Sequence, residues 1–217
     1  MKKKESSLKN MLLSLAIVAG ISGICLGFVY NLTKDRIDAA AQEKKENALK
    51  AVLPDFETTQ TLSVASPDDA NRNIEVFKAF QGEELVGVAV NCYTMKGFGG
   101  EVDLMVGLLP DGTLNKVSVL SMSETPGLGT KMTDPGFYAQ FEGKHPDSFK
   151  MTVKKDGGDV DAITSATISS RAYCDALDRA YKVFGQLAAP VSDETDAASG
   201  ATSDATSGAT QTQSSNL

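Results

Sequence analysis

The sequence predicts an α+β domain held behind a single membrane-spanning helix, and three observations predict it. Residues Met11–Tyr30 contain no charged side chain. Two pairs of alternating segments between Ile74 and Leu120 are each joined by a turn sequence. A long amphipathic run follows at Ile168–Leu187. A helix laid over one side of a mainly antiparallel sheet makes the α+β class.

The uncharged stretch is twenty residues long, which at helical rise crosses a hydrocarbon core of about 30 Å. Lys2, Lys3, Lys4 and Lys9 precede it, so the N-terminus is expected in the cytoplasm and the remainder outside. Apolar residues run on through Leu26, Phe28, Val29 and Tyr30. A cleaved signal peptide has a shorter core and a small-residue exit site, so the segment reads as an uncleaved anchor in the cell membrane. A lipoprotein cleaved before Cys25 needs a small residue where Ile24 stands. Three regions are expected: 1–33, cytoplasmic N-terminus and anchor; 34–190, an extracytoplasmic domain with a linker helix; 191–217, an acidic tail.

Lys34–Leu53 is charged, Ala-rich and free of Gly and Pro until Pro54. Ile37, Ala40, Ala41, Ala48, Ala51 and Val52 share one helical face, predicting a helix that continues out of the membrane. Ile74–Phe80 and Leu85–Tyr93 alternate around Gly82-Glu83-Glu84 and predict a hairpin. Val102–Leu109 and Leu114–Leu120 predict a second one, turned at Pro110-Asp111-Gly112. Asp134 is expected to cap a short helix that Pro135 opens. Phe149–Val153 is expected to be a short strand and Lys155–Gly158 a turn.

In the final helix, Ile168, Ala172, Tyr173, Ala176, Leu177, Ala180, Tyr181 and Phe184 recur at helical spacing. Arg171, Asp175, Asp178, Arg179 and Lys182 are expected on the wet face. The tail from Val191 has no aromatic residue and no Lys or Arg. It has too little apolar surface to offset the entropy of ordering, so disorder is expected there.

Net charge is −7, and no basic stripe appears, so nucleic acid is not an expected partner. Cys92 and Cys174 are either a disulfide pair or two buried thiols, and the sequence leaves both open. No Cys/His cluster points to zinc or iron–sulfur chemistry. The single histidine, His145, lies in a loop-like stretch away from any convincing nucleophile, so triad hydrolysis has no support.

Chemistry is left to three segments. Asp161-Ala162-Ile163-Thr164-Ser165-Ala166-Thr167 follows Gly157-Gly158 and precedes the last helix. Its hydroxyls stand beside a helix N-terminus, which receives phosphate oxygens through unpaired N–H groups. Ordinary capping by Asp161, Thr164 or Ser165 is the simpler account of this segment alone. Ser123-Glu124-Thr125-Pro126-Gly127-Leu128-Gly129-Thr130-Lys131 follows one predicted strand, and Lys96-Gly97-Phe98-Gly99-Gly100 precedes another. Glycines there let the backbone approach a flat ligand or another strand.

In this order the three segments resemble the FMN-binding domain of the G subunit of the Rnf electron-transport complex. The C subunit of the sodium-pumping NADH:quinone reductase is a related case. The resemblance spans anchor, linker helix, the G-F-G-G and E-T-P-G-L-G segments, and a D-x-x-S/T-G-A-T motif before a helix. It implies that Thr167 carries FMN through a phosphoester, made by a separate transferase that uses FAD and magnesium. It also implies that Glu124, Thr125, Gly127, Leu128 and Gly129 lie by the ring or ribityl chain, with Gly99, Thr164, Ser165 and Ala166 completing the site and Lys131 a nearby charge. No catalytic base and no metal ligand are implied.

The expected function is electron relay beside other membrane subunits. The whole complex would couple ferredoxin oxidation and NAD reduction to ion export. A cofactor-free membrane-anchored scaffold and a standalone extracytoplasmic flavoprotein reductase are the alternatives.

The family's usual glycine is Ser165 here. A turn that requires positive φ would be strained by serine. The tail holds a literal match at Asp196-Ala197-Ala198-Ser199-Gly200-Ala201-Thr202, and Ser207-Gly208-Ala209-Thr210 repeats its core. No helix-like run follows either, so Thr167 is the expected functional position.

Overall fold

The computed structural model describes residues 8–188; the expected tail disorder lies outside them. Helix α1 (Leu8–Val52) is followed by strands β1 (Thr58–Ser66), β2 (Asp69–Gln81), β3 (Glu84–Thr94), β4 (Val102–Leu108) and β5 (Leu114–Met122). A 3₁₀ turn (Gly129–Thr133), the short α2 (Pro135–Tyr138), a second 3₁₀ turn (Lys154–Asp156) and helix α3 (Thr167–Ala188) complete the domain. The fold is α+β, with one helix among the described residues long and apolar enough to cross a membrane.

The membrane stretch and the linker form one continuous helix. An 18-residue window within it has a mean hydropathy of 2.4 and is buried against no other part of the domain, the pattern of a helix whose solvent is lipid. Only the end of α1 reaches the domain. Ala48 and Val52 are buried, while Ile37, Ala40, Ala41 and Ala51 of the expected apolar face are exposed. The helix stops two residues before Pro54, and the Asn115 amide donates 2.7 Å to the otherwise free Val52 carbonyl.

The five strands form an antiparallel sheet in sequence order. Alternation sorts their side chains between two cores. Ile74, Val76, Val88, Val90, Leu104 and Val106 face α3, where Tyr173, Ala176, Leu177, Ala180 and Val183 meet them. Ala79, Ala89 and Met105 face the other way, against Ala48, Val52 and Leu53. Both predicted hairpins are present. Strand β1 has no counterpart in the sequence reading, because its side chains are almost all exposed and leave no period-two signal.

Three expectations are corrected. Phe149–Val153 is not a strand; Val153 makes only an isolated parallel bridge to Val160. The segment finds no neighbouring strand to pair with, and Phe149 packs edge-on against Phe141. Asp134 precedes α2, but its side chain makes no capping bond; its backbone carbonyl accepts from Phe137 and Tyr138 instead. Arg179 is buried rather than wet. Its guanidinium lies over the Tyr93 ring at 4.9 Å and pairs with Asp68 at 3.1 Å, because paired charges and an aromatic face replace the water it gives up.

Candidate functional site

Strands β3 and β5 both run antiparallel to β4, so they end on the same edge of the sheet. The loops that leave them, 95–101 and 123–128, are thereby brought side by side. Gly99 lets them touch: a Cβ there would stand 1.7 Å from the Ser123 carbonyl oxygen, a separation no side chain survives.

Glu124 turns inward from the second loop and is 7% exposed. Its Oε1 accepts 2.8 Å from the Phe98 N–H, locking the two loops together. Its Oε2 is buried and has no partner. Gly129 accommodates it, since a Cβ there would lie 2.5 Å from Oε2 and 2.6 Å from the Ser169 hydroxyl. Beyond Glu124 the chain turns tightly. The Thr125 carbonyl accepts from Leu128 and Thr130, and the Gly127 N–H donates 2.9 Å to the Thr130 hydroxyl.

The third segment enters from the other side. Asp161 is clamped by Gln140, which accepts from its N–H at 2.8 Å, and by Lys154 at 2.7 Å. Ser165 has φ 64°, and among the described residues it is the only one other than glycine with a left-handed backbone. The strain foreseen in the sequence is therefore real, and left-handed geometry at a non-glycine residue costs about 1–2 kcal/mol. Ser170 holds the turn, accepting 2.9 Å from the Ile163 N–H and donating 3.0 Å to the Ala166 carbonyl.

None of the side chains of Asp161, Thr164 or Ser165 caps α3. The N–H groups of Thr167, Ile168 and Ser169 take no acceptor among the described residues. That leaves a helix N-terminus with free donors, as an anion site requires.

These segments enclose a pocket of about 310 Å³, lined by Phe98, Glu124, Thr125, Leu128, Gly129 and residues 165–169. Of the residues expected from sequence, Glu124, Thr125, Leu128, Gly129, Ser165, Ala166 and Thr167 line it. Gly99, Gly127, Thr164 and Lys131 do not. Gly99 and Gly127 shape the loops behind the wall, and Thr164 and Lys131 are exposed outside it.

Phe98, Ile168 and Ser169 belong to the lining and were missed. Phe98 is 68% exposed, Ile168 48% and Leu128 39%, so three large apolar side chains surround one opening. Ile168 was expected to be core. It stands in the first turn, beyond the edge of the sheet that covers the rest of its stripe. An apolar residue of a strongly periodic stripe that no strand faces is the signal that would have found it.

A flat ring, a sugar-like chain and a phosphate fit these walls. The apolar rim suits the ring, the orphaned Glu124 oxygen suits a hydroxyl or N–H donor, and the free N–H groups suit the phosphate. Thr167 lines the pocket at that helix end.

The loop base is tied to α3 by Asp175, which accepts 2.7 Å from Thr94 and pairs with Lys96 at 2.5 Å. Burial pushes the Asp175 carboxyl up, but the hydrogen bonds from Lys96 and Thr94 outweigh it and hold it below the usual range. Both domain cysteines are free and buried, so they do not form the disulfide that the sequence left open. Burial pushes the Cys174 thiol up to about 12 and the Cys92 thiol higher still, so neither supplies a thiolate near neutral pH. A larger groove of about 660 Å³ lies along the outer side of α3 between Phe149 and Tyr181. No expected site residue reaches it.

Comparison with known proteins follows the same division. The FMN-binding domain family matches residues 97–182, and the RnfG N-terminal region matches residues 1–52. The G subunit of an ion-translocating oxidoreductase complex from Methanosarcina acetivorans is 32% identical over 181 residues, covering 81% of this chain and 94% of that one. Its counterpart in Shewanella piezotolerans is 31% identical, covering 89% and 99%. The G subunit of a proton-translocating ferredoxin:NAD(+) oxidoreductase complex from Clostridium ljungdahlii is 28% identical, covering 78% and 88%.

Proposed function

We propose a function on one premise: the chain belongs to the family of G subunits of ion-translocating oxidoreductase complexes, and its domain to the FMN-binding domain family. It is a redox subunit of a multi-subunit membrane complex. It relays electrons from the extracytoplasmic side of its anchor and does not complete a reaction alone. The name of the Clostridium relative points to ferredoxin and NAD as the terminal couple of such a complex.

FMN is held in the pocket above α3, joined through its phosphate to the Thr167 hydroxyl. The observation that carries this reading is that Thr167, the α3 N-terminus with its free N–H groups, and Glu124 with its orphaned oxygen all line one pocket. Bound there, the flavin supplies reversible electron transfer, and a phosphoester leaves its ring chemistry untouched.

The chain's own residues position it. Phe98, Leu128 and Ile168 would hold the ring at the apolar rim and limit its contact with water. Glu124 Oε2 accepts from a hydroxyl or N–H. The helix N-terminus balances the phosphate charge. A separate transferase that uses FAD and magnesium forms the ester, so no base of this chain is required beside Thr167. The strain at Ser165 is of order 1 kcal/mol, too small to favour a cofactor-free scaffold.

Replacing Thr167 with Ala tests the reading. Full-length protein co-expressed with the flavin transferase should carry a flavin-sized mass on the peptide spanning Asp161 to Arg171, and the variant should lose all of it. An unmodified peptide from mature wild-type protein would sink the electron-relay function.

A further inference from the structure

We propose that the outer side of β1 is a docking edge, on which an extended extracytoplasmic segment of another subunit of the complex adds to the sheet as a further strand. This rests on the reading of the chain as an electron-relay subunit, but not on the Thr167 ester.

The two terminal strands of the sheet, β1 and β5, differ. At β5, Leu114 exchanges backbone bonds with Gly143 and Lys144, and the Lys44 ammonium donates to the Leu120 carbonyl. Helix α1 also packs on β4 and β5. That strand is guarded near both ends. Helix α3 packs on β3 and β4, so β1 lies outside both helical layers. Among the described residues, no backbone group outside β2 bonds to the backbone of Thr58–Ser66.

Free edges are normally blunted by Lys, Pro, a bulge or an inward charge. Strand β1 has no charged residue and no Pro or Gly. Its one register shift falls at the last step, between Ala65 and Ser66. It runs nine residues, about 30 Å at strand rise, and every side chain except those of Val64 and Ser66 is exposed. Such a strand presents a row of unpaired N–H and C=O groups, whose complement is another extended backbone.

Register sets what that backbone must carry. Leu62 and Val64 pair with Val76 and Ile74 on the α3 side. Thr59, Thr61 and Ser63 pair with Ala79, Phe77 and Glu75 on the α1 side. The incoming segment therefore alternates apolar side chains beside the first row with hydroxyl or amide side chains beside the second.

Position selects the partner. Strand β1 runs in the same direction as β3 and β5, so it too ends where the loops of the pocket leave the sheet. Ser66, its last residue, accepts from Tyr93 at 3.4 Å and from Arg179 at 3.3 Å. Arg72 lies over the same Tyr93 ring at 3.6 Å and pairs with Glu101 at 2.6 Å. These contacts tie the end of β1 to loop 95–101, which exposes Met95 and Phe98 beside the pocket. A subunit held on β1 is thus guided to the opening through which electrons pass. A second copy of this chain would bring an identical carrier of equal potential, with no driving force, so the occupant is an unlike subunit.

Hydrogen exchange compares the complex, purified through a tag on another subunit, with the full-length subunit alone in detergent. Alternate amides of 58–66 should exchange freely in the lone subunit and slow at least about tenfold in the complex. A benzophenone photo-cross-linker in place of Thr61 should trap an unlike subunit. Thr59→Lys with Thr61→Lys should lower co-purification roughly tenfold and leave the flavin-sized mass on the peptide spanning Asp161 to Arg171 as in wild type. Both threonines are exposed and neither lines the pocket. Unchanged exchange over 58–66, or cross-linking to a second copy, overturns the proposal. Protection of 58–66 in a complex whose Asp161–Arg171 peptide is unmodified supports the docking edge and overturns the flavin reading alone.

Discussion

Helix α3 buries Tyr173, Ala176, Leu177, Ala180 and Val183 against the sheet, whereas α1 buries only Ala48 and Val52 on the opposite face, with Leu49 partly buried beside them and Leu53 just past its end. The α3 side holds large interlocked side chains, including the mutually packed Phe137, Phe141 and Tyr173 rings 5.2 to 5.5 Å apart. The α1 side buries fewer residues, three alanines with Val52, Leu53 and Met105, and its aromatic rings, Phe56 and Phe77, are only partly buried. The difference separates two tasks. A pocket whose wall is a helix N-terminus needs that helix immobile, and dense packing makes it so. An anchor needs only to end at the domain, and a smaller contact suffices.

Leu177→Ala should show the largest effect. Leu177 is fully buried between α3 and the sheet, and deleting it should cost about 2–5 kcal/mol in denaturant unfolding of the detergent-solubilised chain. Val52→Ala on the opposite face should cost about 1–2 kcal/mol and leave flavin loading unchanged. Equal losses for the two variants would break the comparison.

Ser165→Gly sharpens it at the pocket itself. Relief of the left-handed strain should raise stability by up to about 1 kcal/mol and speed modification of the peptide spanning Asp161 to Arg171; an unchanged loading rate would mean the turn does not limit access.

The smallest effect is expected for Asp175→Asn and only in acid. The folded carboxyl sits below its ordinary value. Its contribution is therefore complete above the unfolded pKa of about 3.9 and fades as pH falls through the lower folded value. The variant should show a shallower loss of stability below about pH 4; an acid limb identical to wild type would remove Asp175 as the tie between loop and helix.

What could be read beforehand follows burial. The hairpins, α3 and the membrane stretch each carry a strong hydrophobic period or run. Strand β1, with Leu62 exposed and polar neighbours, carries none, and Phe149–Val153 carries one that no partner strand uses. Arg179 was misplaced because spacing assigns a face but cannot see that Tyr93 and Asp68 wait there. At the site, hydroxyls and glycines marked Thr167, Gly129 and Glu124. Phe98 and Ile168 read as ordinary apolar residues until the pocket they surround was visible.

The chain by itself determined where it enters the membrane, which segments pair, and which threonine precedes the last helix, because those depend on local composition and on periods of two and 3.6 residues. Only the tertiary structure decided that the loops of β3 and β5 meet that helix end, that Glu124 keeps a buried oxygen without a partner, and that Ser165 turns left-handed. Those are consequences of long-range closure, in which residues scores of positions apart share one wall, and no local pattern encodes the distance between them.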